Sequence, residues 1–266
     1  MGYVRHRSLL LIGQPPNIEA VVRAAGVKDA APLSWENLSA SATLVTTPCG
    51  APIRTIVTGR KVITTGVYAS RKAGRPLPYE SMNERAFFMH CEVDTDVVDY
   101  RAQPFRLEFA IEGRKRTYIV DCVRLMADGG IEVVEVKSDP RALRDPDYAE
   151  KLQVVRAICE RVGWRFRLVF KKALMEPAVF HRNVADVQSW RLTEYTSADV
   201  FRVVELLQHS GEATLGEVAQ HLGSAGQGFA KAKAMMVGRI VRIDLAQEIG
   251  AASRVVLVAD RREALT

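Results

Sequence analysis

The sequence predicts an α/β fold in which helices flank a mixed sheet, followed by a mostly helical C-terminal part. Three observations predict it. Residues 105–111 alternate apolar and polar through Phe105, Leu107 and Phe109, the period of a half-buried strand. The turn Ala127-Asp128-Gly129-Gly130 separates two β-rich runs, 117–125 and 131–137, which is a hairpin signal. Residues 146–162 carry Leu152, Val155 and Cys159 at helical spacing, with Gly163 as the stop.

Taken in order, residues 17–25 predict a short helix. Residues 42–47 and 53–57 predict strands around a Pro48-Cys49-Gly50 turn. From Arg60 to Arg75 the chain has five basic residues (Arg60, Lys61, Arg71, Lys72, Arg75) and no acid. Gly66, Gly74, Pro76 and Pro78 predict an extended arm there, able to track a polyanion backbone or simply to stay solvated. Ser81 and Glu84 have capping-box spacing and open a helix anchored by Phe87 and Phe88. Strands follow around Val97-Val98, then at 105–111, 117–125, 131–137 and 166–170. The order is helix, antiparallel strands, helix, strand.

Beyond about residue 195 the texture is helical. Residues 198–209 place Val200, Phe201, Val204 and Leu207 on one side. Thr214 and Glu217 make a second capping box, a third helix runs over about 228–240, and 253–258 reads as a strand. Three helices and a ribbon form the pattern of a winged helix. Lys231, Lys233, Arg239 and Arg242 lie on or beside the third helix, where such a fold reads DNA. From residue 196 onward, however, eight basic residues balance eight acidic ones, which favours docking to a protein.

Composition excludes several classes. The 266 residues are 48% hydrophobic and 26% charged, so the chain is neither disordered nor fibrous. No run approaches the ~20 apolar residues of a spanning helix, and no cleavable leader is evident, so we expect no membrane association and a soluble, cytoplasmic protein. A net charge of +6 permits a polyanionic partner. Cys49, Cys91, Cys122 and Cys159 include no CxxC pair and read as buried, reduced thiols. His6, His90, His181, His209 and His221 are scattered, and His90 reads as packed rather than as a ligand. Serine-hydrolase, zinc-protease and P-loop motifs are absent.

Chemistry concentrates at Asp121 and Glu135-Val136-Lys137. Strand alternation puts Glu135 and Lys137 on one side, and the Asp128-Gly129 turn brings Asp121 beside them. Two carboxylates and an ammonium then share one patch of sheet. Asp121 and Glu135 can supply the oxygens that Mg²⁺ takes, and Lys137 can orient a nucleophilic water or stabilise charge on a phosphate. Glu84 can add a third carboxylate or serve only as a cap. The alternative for the strand pair is a solvated face with a Glu–Lys ion pair. The flanks Tyr118-Ile119-Val120 and Val133-Val134 argue for burial instead, where unpaired charge is costly.

This arrangement resembles the PD-(D/E)xK nuclease superfamily and, within it, TnsA-type transposon endonucleases. The resemblance spans about residues 65–172. It rests on 65–72 with 79–87, on Gln103-Pro104-Phe105, on 116–121, on Val134-Glu135-Val136-Lys137 and on Gly163-Trp164-Arg165-Phe166. The chain departs from many superfamily members at Val120, where they have Pro. The resemblance implies a restriction-endonuclease-like mixed sheet flanked by helices, with a C-terminal winged-helix-like domain. It places the catalytic residues at Glu84, Asp121, Glu135 and Lys137, the first three binding Mg²⁺, with Mn²⁺ as a substitute. It implies cleavage of one strand of double-stranded DNA at transposon ends, alongside a DDE-type transposase and an AAA+ regulator.

The expected organisation is an N-terminal region at 1–64, a nuclease core at 65–175, a linker at 176–194 and the winged-helix-like domain at 195–266. Arg71, Lys72, Arg75, Arg141 and Arg144 are the expected DNA contacts. The hairpin tip Arg114-Lys115-Arg116 can meet phosphate or stay solvated. A phage, restriction or repair nuclease with the same core, or a non-catalytic DNA- or protein-binding adaptor, remains an alternative.

Overall fold

The computed structural model describes residues 42–47, 51–54, 64–111 and 113–259. The predicted helix at 17–25, the turn at 48–50, His6, Cys49, Arg60 and Lys61 lie outside them. Strand β1 (Ala42–Thr46) is where the sequence predicts it, whereas Ile53 and Arg54 form a bend.

Strands β2 (Gly66–Ala69) and β3 (Pro76–Tyr79) form an antiparallel hairpin. This corrects the extended arm. Tyr68 pairs with Leu77 and both are buried, so apolar packing overrides the prolines and glycines. Helix α1 (Met82–Val93) follows, capped by Ser81, whose side chain accepts from the Glu84 amide. Its inner face holds Phe87 and Phe88, and burying each contributes about 1.5–3 kcal/mol.

Five strands come next: β4 (Val97–Ala102), β5 (Phe105–Ile111), β6 (Arg114–Ile119), β7 (Cys122–Met126) and β8 (Ile131–Lys137). A 3₁₀ turn (Pro140–Arg144) leads into α2 (Pro146–Arg161), whose buried stripe is Leu152, Val155 and Cys159, as the spacing predicts. Then come β9 (Arg165–Phe170) and the short α3 (Lys171–Met175).

Two sheets divide these strands. One has the order β1-β5-β6 and the other β4-β7-β8-β9, with β8 and β9 parallel and the other neighbours antiparallel. The single strand expected over 117–125 is therefore two strands, broken at Val120-Asp121. The chain changes sheets at that break, and it does so again at Gln103-Pro104 between β4 and β5. The two corners are joined. The Gln103 amide donates to the Asp121 carbonyl at 3.1 Å, and the Val120 amide donates to the Phe105 carbonyl at 3.4 Å. Gln103 adopts φ 45°, a left-handed conformation that costs a non-glycine residue on the order of 1 kcal/mol.

The expected linker contains helix α4 (Ala178–Ser189), packed inward through Asn183, Val184, Val187 and Gln188. Most of 176–194 is therefore helical. Its valines recur at i and i+3, and their burial gives the segment a core face.

The C-terminal region holds α5 (Ser197–Ser210), β10 (Ala213–Thr214), α6 (Leu215–His221), α7 (Ala225–Val237), β11 (Val241–Ile243) and β12 (Arg254–Leu257). The short strands pair antiparallel in the order β10-β12-β11. In α5 the inward residues are Asp199, Val203 and Leu207, while Phe201 is exposed. The expected stripe through Phe201 is thus rotated. Asp199 turns inward because the Thr196 amide, Lys231 and Arg202 all bond it.

Helix α7 faces the rest of the protein. Its buried residues run through Ala230, Ala232, Ala234, Met235 and Met236. One apolar cluster joins α1, α4 and these C-terminal helices. Among the described residues no helix is long and apolar enough to cross a membrane.

Candidate active site

The Asp128-Gly129 hairpin sets the register of the site. Gly129 takes φ 83°, and Cys122 then stands opposite Val134. Continuing that register brings Asp121 beside Glu135, within one residue of the pairing the sequence predicts. Asp121 is the first residue after the sheet change, so its side chain is free of the β6 ladder. Its Oδ2 accepts from the Val136 amide at 2.9 Å. That bond ties the acid across to β8.

Glu135 is buried and heavily coordinated. Tyr118 on β6 donates its phenol to Oε2 at 2.5 Å, and Tyr148 on α2 donates to Oε1 at 2.5 Å. Lys137 Nζ lies 2.6 Å from Oε1. Burial raises both phenol pKa values, and the Glu135 charge raises them further, so both hydroxyls stay protonated donors. The tyrosines escape motif-level reading because Tyr148 reaches Glu135 only once α2 has packed.

The charges are mutually dependent. Burial, and next the Glu135 carboxylate, push Asp121 up to about 8. Burial acts to lower Lys137, but Glu135 and Asp121 outweigh it and hold the ammonium above its ordinary range. Glu84 is buried at the start of α1 and is also raised, chiefly by burial. Its Oε2 accepts from the Glu80 amide at 2.9 Å and its Oε1 from the Ser81 hydroxyl at 3.0 Å. Asn83 on the same helix donates to Ser138 at 2.7 Å, tying α1 to the end of β8.

Among the described residues no group of three or more His, Cys, Asp or Glu side chains is arranged to hold a metal ion. Glu84 turns toward its own helix cap, and Glu135 is held by phenols. The Asp121–Glu135 pair still fits a hard cation. It offers carboxylate oxygens, and Asp121 is raised first by burial and then by the Glu135 charge, a repulsion that a cation would relieve. Magnesium sites commonly use one or two carboxylates and complete their shell with water.

The expected DNA contacts divide. Arg71 donates to the Arg191 and Thr193 carbonyls and stacks 4.5 Å over the Tyr195 ring. Lys72 donates to the Cys91 and Asp94 carbonyls at the C-terminal end of α1, and burial lowers it to about 8. Both side chains are thus engaged within the chain by part-buried bonds, which makes them structural ties. Arg75 is half-buried beside Pro76 of the hairpin. Arg141 and Arg144, on the 3₁₀ turn after β8, are exposed. Lys115 at the β5–β6 tip pairs with Glu108 at 2.7 Å.

The cations of the third C-terminal helix are also taken. Lys231 pairs with Asp199 at 2.9 Å and Lys233 with Asp186 at 2.7 Å. Arg239 donates to the Thr95 carbonyl, and Arg242 pairs with Asp96 at 2.7 Å. Cys91, Cys122 and Cys159 are free and buried. His90 packs through a 2.9 Å contact of Nε2 with the Leu174 carbonyl.

Residues 94–171, which hold this geometry, match the family model for the TnsA-like endonuclease N terminal. This segment is similar to TnsA-like endonucleases. No curated protein matches the chain significantly. The TnsA-like segment contains Asp121, Glu135, Lys137, Tyr118 and Tyr148 and excludes Glu84. It begins just after α1 and ends with β9, so it covers the whole β4-β7-β8-β9 sheet and α2.

Proposed function

We propose that this protein is a divalent-metal-dependent DNA endonuclease that cuts one strand at transposon ends. The observation that carries the reading is the meeting of Asp121, Glu135 and Lys137 at the sheet corner, inside the TnsA-like segment. Asp121 and Glu135 would hold Mg²⁺, or Mn²⁺ in its place, and Glu84 would complete the acidic set from α1. A bound Mg²⁺ would lower the pKa of a water and polarise the phosphoryl group.

The protein's own residues supply the rest. Lys137 stays charged beside Glu135 and is placed to orient the attacking water or to offset charge developing on the phosphate. Tyr118 and Tyr148 fix the Glu135 carboxylate. Arg141 and Arg144, exposed just beyond the catalytic strand, would meet the DNA backbone near the cut. Its partners would be a DDE-type transposase and an AAA+ regulator. The C-terminal region would be a winged-helix-like docking unit, because the cations of its third helix bind within the chain.

Cleavage of a transposon-end duplex by the protein with its transposase, in Mg²⁺, tests this reading. Wild type should nick one strand at each end, and Lys137→Ala should abolish nicking without loss of fold. Full activity in that variant would overturn the mechanism.

A further inference from the structure

Among the described residues only Gln103 and Arg239 are non-glycine residues with positive φ. Gln103 is also 1% exposed. A buried, left-handed glutamine persists only where its surroundings over-determine it. All four of its hydrogen-bonding groups have partners. The amide donates to the Asp121 carbonyl at 3.1 Å, and the carbonyl accepts from the Ile53 amide at 3.0 Å. The side-chain Nε2 donates to Glu80 Oε1 at 3.3 Å, and Oε1 accepts from Arg54 at 3.4 Å. Glu80 in turn pairs with Arg54 at 2.5 Å, and its own amide holds Glu84 Oε2.

We propose that Gln103 is a positioning residue that sets Asp121 and Glu84 relative to each other. Its main chain fixes the corner from which Asp121 projects. Its side chain fixes the Glu80 loop, whose amide aims the Glu84 carboxylate. The two acids sit on separate segments, the β6–β7 corner and α1, and Gln103 ties the backbone of one to the approach of the other. Partners that orient metal ligands typically change metal affinity 10–100-fold when removed. This inference rests on the metal-site reading above.

Manganese titration calorimetry on the full chain tests it, with circular dichroism and thermal melting as the fold control. Gln103→Gly keeps the left-handed backbone and its bond to Asp121 but removes the side-chain tie. Glu80→Ala removes the same tie from its more exposed end, and it decides the matter if the glycine variant fails to fold. Each variant should bind Mn²⁺ about tenfold more weakly than wild type while keeping its helical signal. Wild-type affinity in a folded variant would overturn the positioning role, whatever happened to its melting temperature. Absence of binding in wild type would overturn the metal-site reading itself, and this inference with it.

Discussion

Tyr148 donates its phenol to Glu135 Oε1 at 2.5 Å, on the same oxygen that Lys137 approaches at 2.6 Å. The first turn of α2 therefore lies against β8. The Lys137 ammonium also stands 5.5 Å from the Tyr148 ring centroid. An acid held this way keeps its orientation, but a cation arriving at Oε1 must compete with the phenol.

Removing that competitor should strengthen metal binding. Tyr148→Phe keeps the ring and loses only the hydroxyl. We expect Mn²⁺ affinity to rise about three- to tenfold, the worth of one net hydrogen bond. Calorimetry reads this directly, and weaker binding would show that the phenol organises the metal-bound state instead.

Lys137 and the exposed arginines should separate by kinetic signature. Lys137→Ala should abolish nicking with little change in DNA affinity. Arg141→Ala or Arg144→Ala should instead weaken duplex binding and lower the salt slope by about one each. Fluorescence anisotropy across a salt series checks the arginines, and an unchanged slope would remove them from the interface.

Lys72 gives the opposite outcome. Its ammonium closes the C-terminal end of α1 on the Cys91 and Asp94 carbonyls. Lys72→Met should lower stability by about 1 kcal/mol through loss of a charge–dipole contact. DNA affinity should be unaffected. A stable variant with reduced DNA affinity would restore the reading of Lys72 as a phosphate contact.

His90 predicts a pH dependence of folding. Burial lowers it to about 4, against the opposing effect of its Leu174 hydrogen bond. Its unfolded value is about 6.5. The unfolded chain therefore takes up the proton first, and the contribution to stability is present above pH 6.5 and lost as pH falls toward 4. Thermal melts over that window should decline less steeply for His90→Gln, which keeps a donor and cannot titrate. An equal decline would assign the effect to other groups.

The legible parts of the fold were those written in local patterns. The stripe Leu152, Val155, Cys159, the Ser81 cap and the Asp128-Gly129 hairpin each depend on neighbours in sequence, and each recurs in space. The break at Val120-Asp121 was illegible because an apolar run shows where a strand is, but not where it leaves one sheet for another. Charge was misread for a similar reason. Arg71 and Lys72 look like a solvated arm until Glu92 binds their amides and folds the loop onto α1. Asp121, Glu135 and Lys137 were visible because charges among valines signal a site. Gln103, Tyr118 and Tyr148 were not singled out as parts of that site, since their roles arise only from packing between distant segments.

The central claim is that Asp121 belongs to a metal site. Calorimetric titration of Mn²⁺ into wild type and Asp121→Ala, with and without a DNA duplex, tests it most directly. The account predicts saturable binding to wild type that disappears in the variant. Absence of specific binding to either protein, with DNA present, would contradict it.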